Sequence, residues 1–91
     1  MKLTLIVRSY CHLCDDLRDA LAPVAARHGA KVVEIDLDGR PEWEARFGER
    51  VPVLLLGAAP DGEVLAQFTL DAAALERRLA RAGFAPGPDF R

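Results

Sequence analysis

Apolar positions fall into two rhythms along this 91-residue chain. Residues 2–7 carry Leu3-Thr4-Leu5-Ile6-Val7, an almost unbroken apolar run that reads as a strand buried on both faces. Arg8-Ser9-Tyr10 turns out of it. From Leu13 the period becomes helical, with Leu13, Leu17, Ala20, Leu21, Val24 and His28 recurring on one side. Asp15 and Asp16 fall in the first turn of that helix and Arg27 and His28 in its last, which suits the helix dipole. Gly29 supplies a stop. Pro23 deletes one backbone donor and predicts a kink, or an end near residue 22.

The second half alternates faster. Residues 31–37 read as a second strand, and strand, crossover helix, strand predicts a parallel pair with a right-handed connection. Residues 38–41 form a loop, with Pro41 suited to the first position of a short helix that carries Trp43, Ala45 and Phe47 and ends at Gly48. Trp43 and Phe47 read as core residues covering the sheet. Residues 51–56 give a third strand, interrupted near its start by Pro52. The turn 57–62 and the run 63–68 complete a hairpin. Asp71 caps a last helix carrying Ala74, Leu75, Leu79 and Ala82, and Gly83 stops it. The order is β-α-β-α-β-β-α. One domain over residues 1–84 is expected, followed by a flexible tail, 85–91, rich in Pro and Gly.

Composition removes several classes of function. With 51% apolar and 29% charged residues, the chain is built like an ordinary globular domain. Its net charge of −2 and its interspersed basic residues leave no stripe for nucleic acid and no attraction to anionic membrane. The N-terminal apolar run is too short for a signal-peptide core and ends at Arg8, so a cytoplasmic location is expected.

The chemistry lies in Cys11-His12-Leu13-Cys14, which holds the only two cysteines and joins the first strand to the first helix. Two thiols at this spacing can close a small disulfide ring, and a helix N-terminus stabilises a thiolate. A free cysteine ionises near about 8.5, and CxxC sites bring this to about 7. Cys11, at the outer end, is expected to attack disulfides, with Cys14, one turn in and more buried, resolving the mixed disulfide. His12 either assists the thiolate as a cation or is an exposed turn residue; the residues leave both readings open. A structural zinc needs four ligands. His12 and His28 are poorly placed to complete a set, so no metal is expected. His28 reads as a helix-end residue without chemistry.

The chain resembles thioredoxin-fold proteins of the glutaredoxin-like family. The match rests on Cys11-His12-Leu13-Cys14 after the first strand, Glu34-Ile35-Asp36-Leu37-Asp38 in the second and Arg50-Val51-Pro52-Val53-Leu54 at the third. It spans roughly residues 2–82. The resemblance implies a thioredoxin-like fold, a four-stranded mixed sheet flanked by helices. It implies a cis Val51–Pro52 bond opposite the cysteines, with the Val51 backbone pairing with an incoming peptide. It places Arg8, Tyr10 and Arg50 around the thiols, where cations hold glutathione carboxylates in such proteins. The stretch after the fourth strand, Gln67-Phe68-Thr69-Leu70-Asp71, lacks the family's paired glycines, and Asp71 is its matching residue. The residues between the cysteines, His12-Leu13, replace the Pro-Tyr common in glutaredoxins.

These implications make the chain a monomeric thiol–disulfide oxidoreductase that needs no cofactor beyond its own cysteines. Its partners are disulfide substrates, with glutathione a candidate co-substrate and a thiol reductase another route to the reduced form. Two rival readings stay open: a non-catalytic module that senses redox state or binds a protein, and a carrier of metal or of an iron–sulfur cluster bridged between two chains.

Overall fold

A computed structural model describes residues 1–81 of the protein. The stop at Gly83 and the tail 85–91 lie outside the described residues. The elements are β1 (Lys2–Val7), α1 (His12–His28), β2 (Lys31–Asp36), α2 (Glu44–Phe47), β3 (Val53–Leu56), β4 (Glu63–Gln67) and α3 (Ala72–Arg81). Two 3₁₀ turns, Leu37–Gly39 and Pro41–Trp43, join β2 to α2.

The four strands form one mixed sheet in the order β2-β1-β3-β4. β1 and β2 run parallel, with Leu3 opposite Val32 and Val7 opposite Asp36. β1 and β3 are antiparallel, with Ile6 opposite Val53, and β4 pairs antiparallel to β3, with Val53 opposite Gln67. β1 is therefore central, which explains its near-continuous apolar sequence.

The two-residue period of the strands divides the core between two faces. Leu3, Leu5, Val7 and Leu54 pack with Leu17, Leu21 and Val24 of α1 and with Leu75 and Leu79 of α3. Ile6, Val53 and Leu55 face the other way and meet Leu37 and Phe47, with Trp43 packed against them. The Trp43 and Phe47 rings meet edge to face at 6.4 Å. The thioredoxin-like α/β fold expected from the sequence is the one observed.

Several boundaries differ from the sequence reading, each for a local reason. α1 runs through Pro23 to His28. The missing donor falls on a solvent-exposed face, where Asp19, Ala22 and Pro23 are all exposed, while Leu17, Leu21, Val24 and Ala25 hold the buried side together. Leu13 belongs to the exposed surface, and the buried stripe of α1 begins at Cys14. Leu37 leaves β2 for a 3₁₀ turn capped by the Asp36 carboxylate, which accepts the Asp38 N–H at 2.9 Å. β3 begins only at Val53, after Pro52, which has no N–H to offer a ladder. β4 ends at Gln67 because Phe68 turns into the left-handed region. Gly29 ends α1 at φ 64°, where a side chain would be strained.

Candidate functional site

Cys11 is the N-cap of α1. Its backbone is extended, at φ −114° and ψ 107°, and its Sγ accepts the N–H of Cys14 at 3.1 Å. A sulfur thus stands where Ser or Asp usually satisfies one of the orphan donors of a helix. Cys11 and Cys14 are joined as a disulfide, with Cα atoms 5.2 Å apart. The two are not equivalent. Cys14 is 1% exposed and packs in the same core as Val7, Leu17 and Leu75, whereas Cys11 is only partly buried at the edge of that core. This asymmetry fits an outer attacking sulfur and an inner resolving one.

Strand register gathers the remaining site residues at one end of the sheet. Ile6 lies opposite Val53, so the chain leaving β1 toward Cys11 passes beside Pro52 and Val51. Val53 lies opposite Gln67, which brings the end of β4 alongside as well. The Val51–Pro52 bond is cis, as the resemblance implied. The Phe68 N–H donates to the Pro52 carbonyl at 2.9 Å and ties the two segments together.

Three apolar side chains stand open at this end. Tyr10, immediately before Cys11, is fully exposed, and Leu13 and Phe68 are nearly half exposed. Tyr10 and Phe68 have φ of 59° and 68°, and among the described residues they are the only non-glycine residues in the left-handed region. Bulky side chains rarely adopt it, and such strain gathers at functional sites. Sequence reasoning included Tyr10 but missed Phe68. An apolar residue directly after a strand pattern looks like more strand, and only the backbone angle tells them apart. Leu13 was missed as surface because its helical spacing matches the buried stripe.

The charged candidates divide. Arg8 follows β1, but its guanidinium is engaged: Nη2 bonds to Glu44 Oε1, and Nε lies 3.2 Å from Asp38 Oδ1. Arg50 is exposed, and its side chain has no hydrogen bond or ion pair among the described residues. His12 is the exposed first residue of α1. Asp71 caps α3, its Oδ1 accepting the Ala74 N–H at 3.1 Å. It also borders a cavity of about 240 Å³ between β4 and α3, lined by Leu65, Thr69 and Arg78 among others. Tyr10, Cys11, His12, Cys14, Val51 and Pro52 thus share one end of the sheet, while Arg8 and Asp71 carry structural bonds of their own. Among the described residues no group of three His, Cys, Asp or Glu side chains could hold a metal ion, and no helix is long and apolar enough to cross a membrane.

Known proteins agree with this geometry. Residues 2–80 match the model of the glutaredoxin-like domain (DUF836). The Mycobacterium tuberculosis protein Rv0508 is 32% identical over 95 residues, covering 99% of this chain and 94% of its own length. Among solved structures, the X. campestris protein XcR50 is 35% identical with a TM-score of 0.69, over 87% of this chain and 96% of its own. Thioredoxin 1 from Thermosipho africanus is similar in fold, with a TM-score of 0.60 at 17% identity over 91% of this chain and 99% of its own. The chain belongs to the glutaredoxin-like domain family, and its fold and CxxC pair support a redox-type role.

Proposed function

We propose that this member of the glutaredoxin-like family is a thiol–disulfide oxidoreductase acting through Cys11 and Cys14. In its reduced form the Cys11 thiolate attacks one sulfur of a substrate disulfide. That S–S bond breaks, the departing thiolate takes a proton from solvent, and a mixed disulfide on Cys11 remains. Cys14, as its thiolate, then attacks Cys11 Sγ and expels the second substrate sulfur. Two electrons pass to the substrate, which leaves as two thiols, and the Cys11–Cys14 disulfide forms. An external thiol, with glutathione or a dedicated reductase as candidates, restores the dithiol.

The observation that carries this reading is the Cys14 N–H donated to Cys11 Sγ at 3.1 Å. The same contact that caps the helix stabilises negative charge on the outer sulfur. The Val51–Pro52 segment, which the Ile6–Val53 register sets beside the chain leaving β1, supports it by offering backbone for an extended substrate. In this reading Val51 and Pro52 bind the substrate backbone, and Tyr10, His12 and Arg50 border it. The protein works as a monomer in the reducing cytoplasm, with no cofactor beyond its cysteines. Multiple-turnover reduction of a small aromatic disulfide, driven by glutathione or dithiothreitol, tests the proposal. Turnover is expected for the native protein and its loss for Cys11→Ser. A single stoichiometric oxidation without turnover points instead to a redox-sensing module.

A further inference from the structure

We propose that Phe68, with Leu13 and Tyr10, forms an apolar rim that makes the substrate of this dithiol a disulfide in a polypeptide with apolar flanking side chains, rather than glutathione. This rests on the exchange chemistry proposed above and adds its substrate class.

Large exposed apolar side chains are few in the described residues: Tyr10, Leu13, Val64 and Phe68. Three of these four lie on the segments that meet around the cysteines. Tyr10 and Leu13 flank Cys11 in sequence, and Phe68 is bound through its N–H to Pro52. The two left-handed non-glycine residues are confined to the same rim, at Tyr10 and Phe68. A bulky aromatic held there and left in water is unfavourable twice over, in backbone conformation and in apolar exposure. Covering these side chains with apolar groups of a partner relieves the second cost.

The polar groups argue against a small anionic partner. Glutathione carries two carboxylates, which need cations or unpaired backbone donors. The first two amides after β4 are closed: Phe68 N–H bonds to Pro52 O at 2.9 Å and Thr69 N–H to Gln67 O at 2.7 Å. The Arg8 guanidinium is neutralised by Asp38 and Glu44. Of the two arginines expected at the thiols, Arg50 alone is unpaired among the described residues. A single unpaired arginine and three exposed apolar side chains suit an extended peptide bearing an apolar residue next to its cysteine better than a tripeptide bearing two carboxylates.

Competitive trapping tests this. A reduced Cys14→Ser variant is offered three 2-pyridyl disulfides in equal amounts: glutathione, a serine-flanked cysteine peptide and a leucine-flanked one. Cys11 displaces pyridine-2-thione and keeps the peptide or glutathione sulfur, so intact mass reports the ratio of adducts. The leucine-flanked adduct is expected to exceed each of the others about tenfold, as burial of one or two apolar groups allows. Adding Phe68→Ser is expected to bring the ratio within about twofold. Should that variant not fold, Leu13→Ser carries the same expectation. Equal adducts, a glutathione excess, or a leucine preference that survives the substitution overturns the rim while leaving exchange intact. Absence of any adduct on Cys11 overturns exchange itself, and the rim with it.

Discussion

The N–H of Cys14 points at the sulfur of Cys11 across 3.1 Å, and the two residues differ sharply in burial. Cys14 is 1% exposed, within the core shared by β1, α1 and α3, while Cys11 is partly open. Alkylation requires an accessible thiolate. After reduction, Cys11 is expected to react with iodoacetamide at neutral pH roughly tenfold faster than Cys14. Peptide mapping of a time course measures both rates in one sample, and equal rates would remove the assignment of attacker and resolver.

Much of this arrangement was legible in the sequence. The run 3–7 has no polar interruption except Thr4, because this part of β1 is covered on both faces; Thr4 fits there by donating its hydroxyl to the Gly57 carbonyl at 2.7 Å. The CxxC pair and Val51-Pro52 are local patterns, and register alone brings them together. What stayed hidden depends on contacts far apart in sequence. Nothing in the sequence around Arg8 announces Asp38 and Glu44, which arrive from the segment after β2. Likewise His28 read as a bare helix end, yet its side chain is buried and its Nε2 lies 3.3 Å from Glu76 Oε1 on α3. Phe68 could not be told from a strand residue without its φ.

Pro23 offers a test of why α1 survives an interior proline. Its ring leaves the Asp19 carbonyl without an intrahelical donor, on the exposed side of the helix. Alanine at this position can restore the bond at no packing cost. Pro23→Ala is expected to raise stability by about 1–3 kcal/mol, the propensity gain less the lost restriction of the unfolded chain. Urea unfolding measures it. A destabilised variant would show that the proline is required for the path of the helix.

Leu54 and Val64 lie on neighbouring strands but differ fully in burial. Leu54 is 0% exposed and packs with residues of β1, α1 and α3, whereas Val64 on the edge strand β4 is 44% exposed. Leu54→Ala is expected to cost about 2–5 kcal/mol through lost transfer energy and a residual cavity. Val64→Ala should change stability by no more than about 0.5 kcal/mol. Denaturant midpoints at constant m-value compare the pair directly, and similar costs would contradict the placement of the core beneath β3.

Glu76 links the last turn of α1 to α3 and gives stability an acid limit. Its carboxylate accepts two hydrogen bonds from the Arg27 guanidinium and meets His28 Nε2. The Arg27 bonds are the main reason its pKa is held below the ordinary carboxylate range, with His28 adding to them against partial desolvation. A carboxylate whose folded pKa is depressed favours the folded state only while ionised. Its contribution is complete above the unfolded value, about 4.3, and is lost as pH falls through the lower folded value. Glu76→Gln is therefore expected to melt at a lower temperature than the native protein at pH 7. The gap should begin to close as the pH falls below the unfolded value, about 4.3, and should vanish as the pH passes through the lower folded value, where the native glutamate also becomes neutral. Because the pair is partly exposed, the gap at pH 7 should also shrink in molar salt. Melting temperatures from pH 3 to pH 7 at two ionic strengths decide the matter, and a gap that is constant across that range would mean that the ionised carboxylate does not join the two helices.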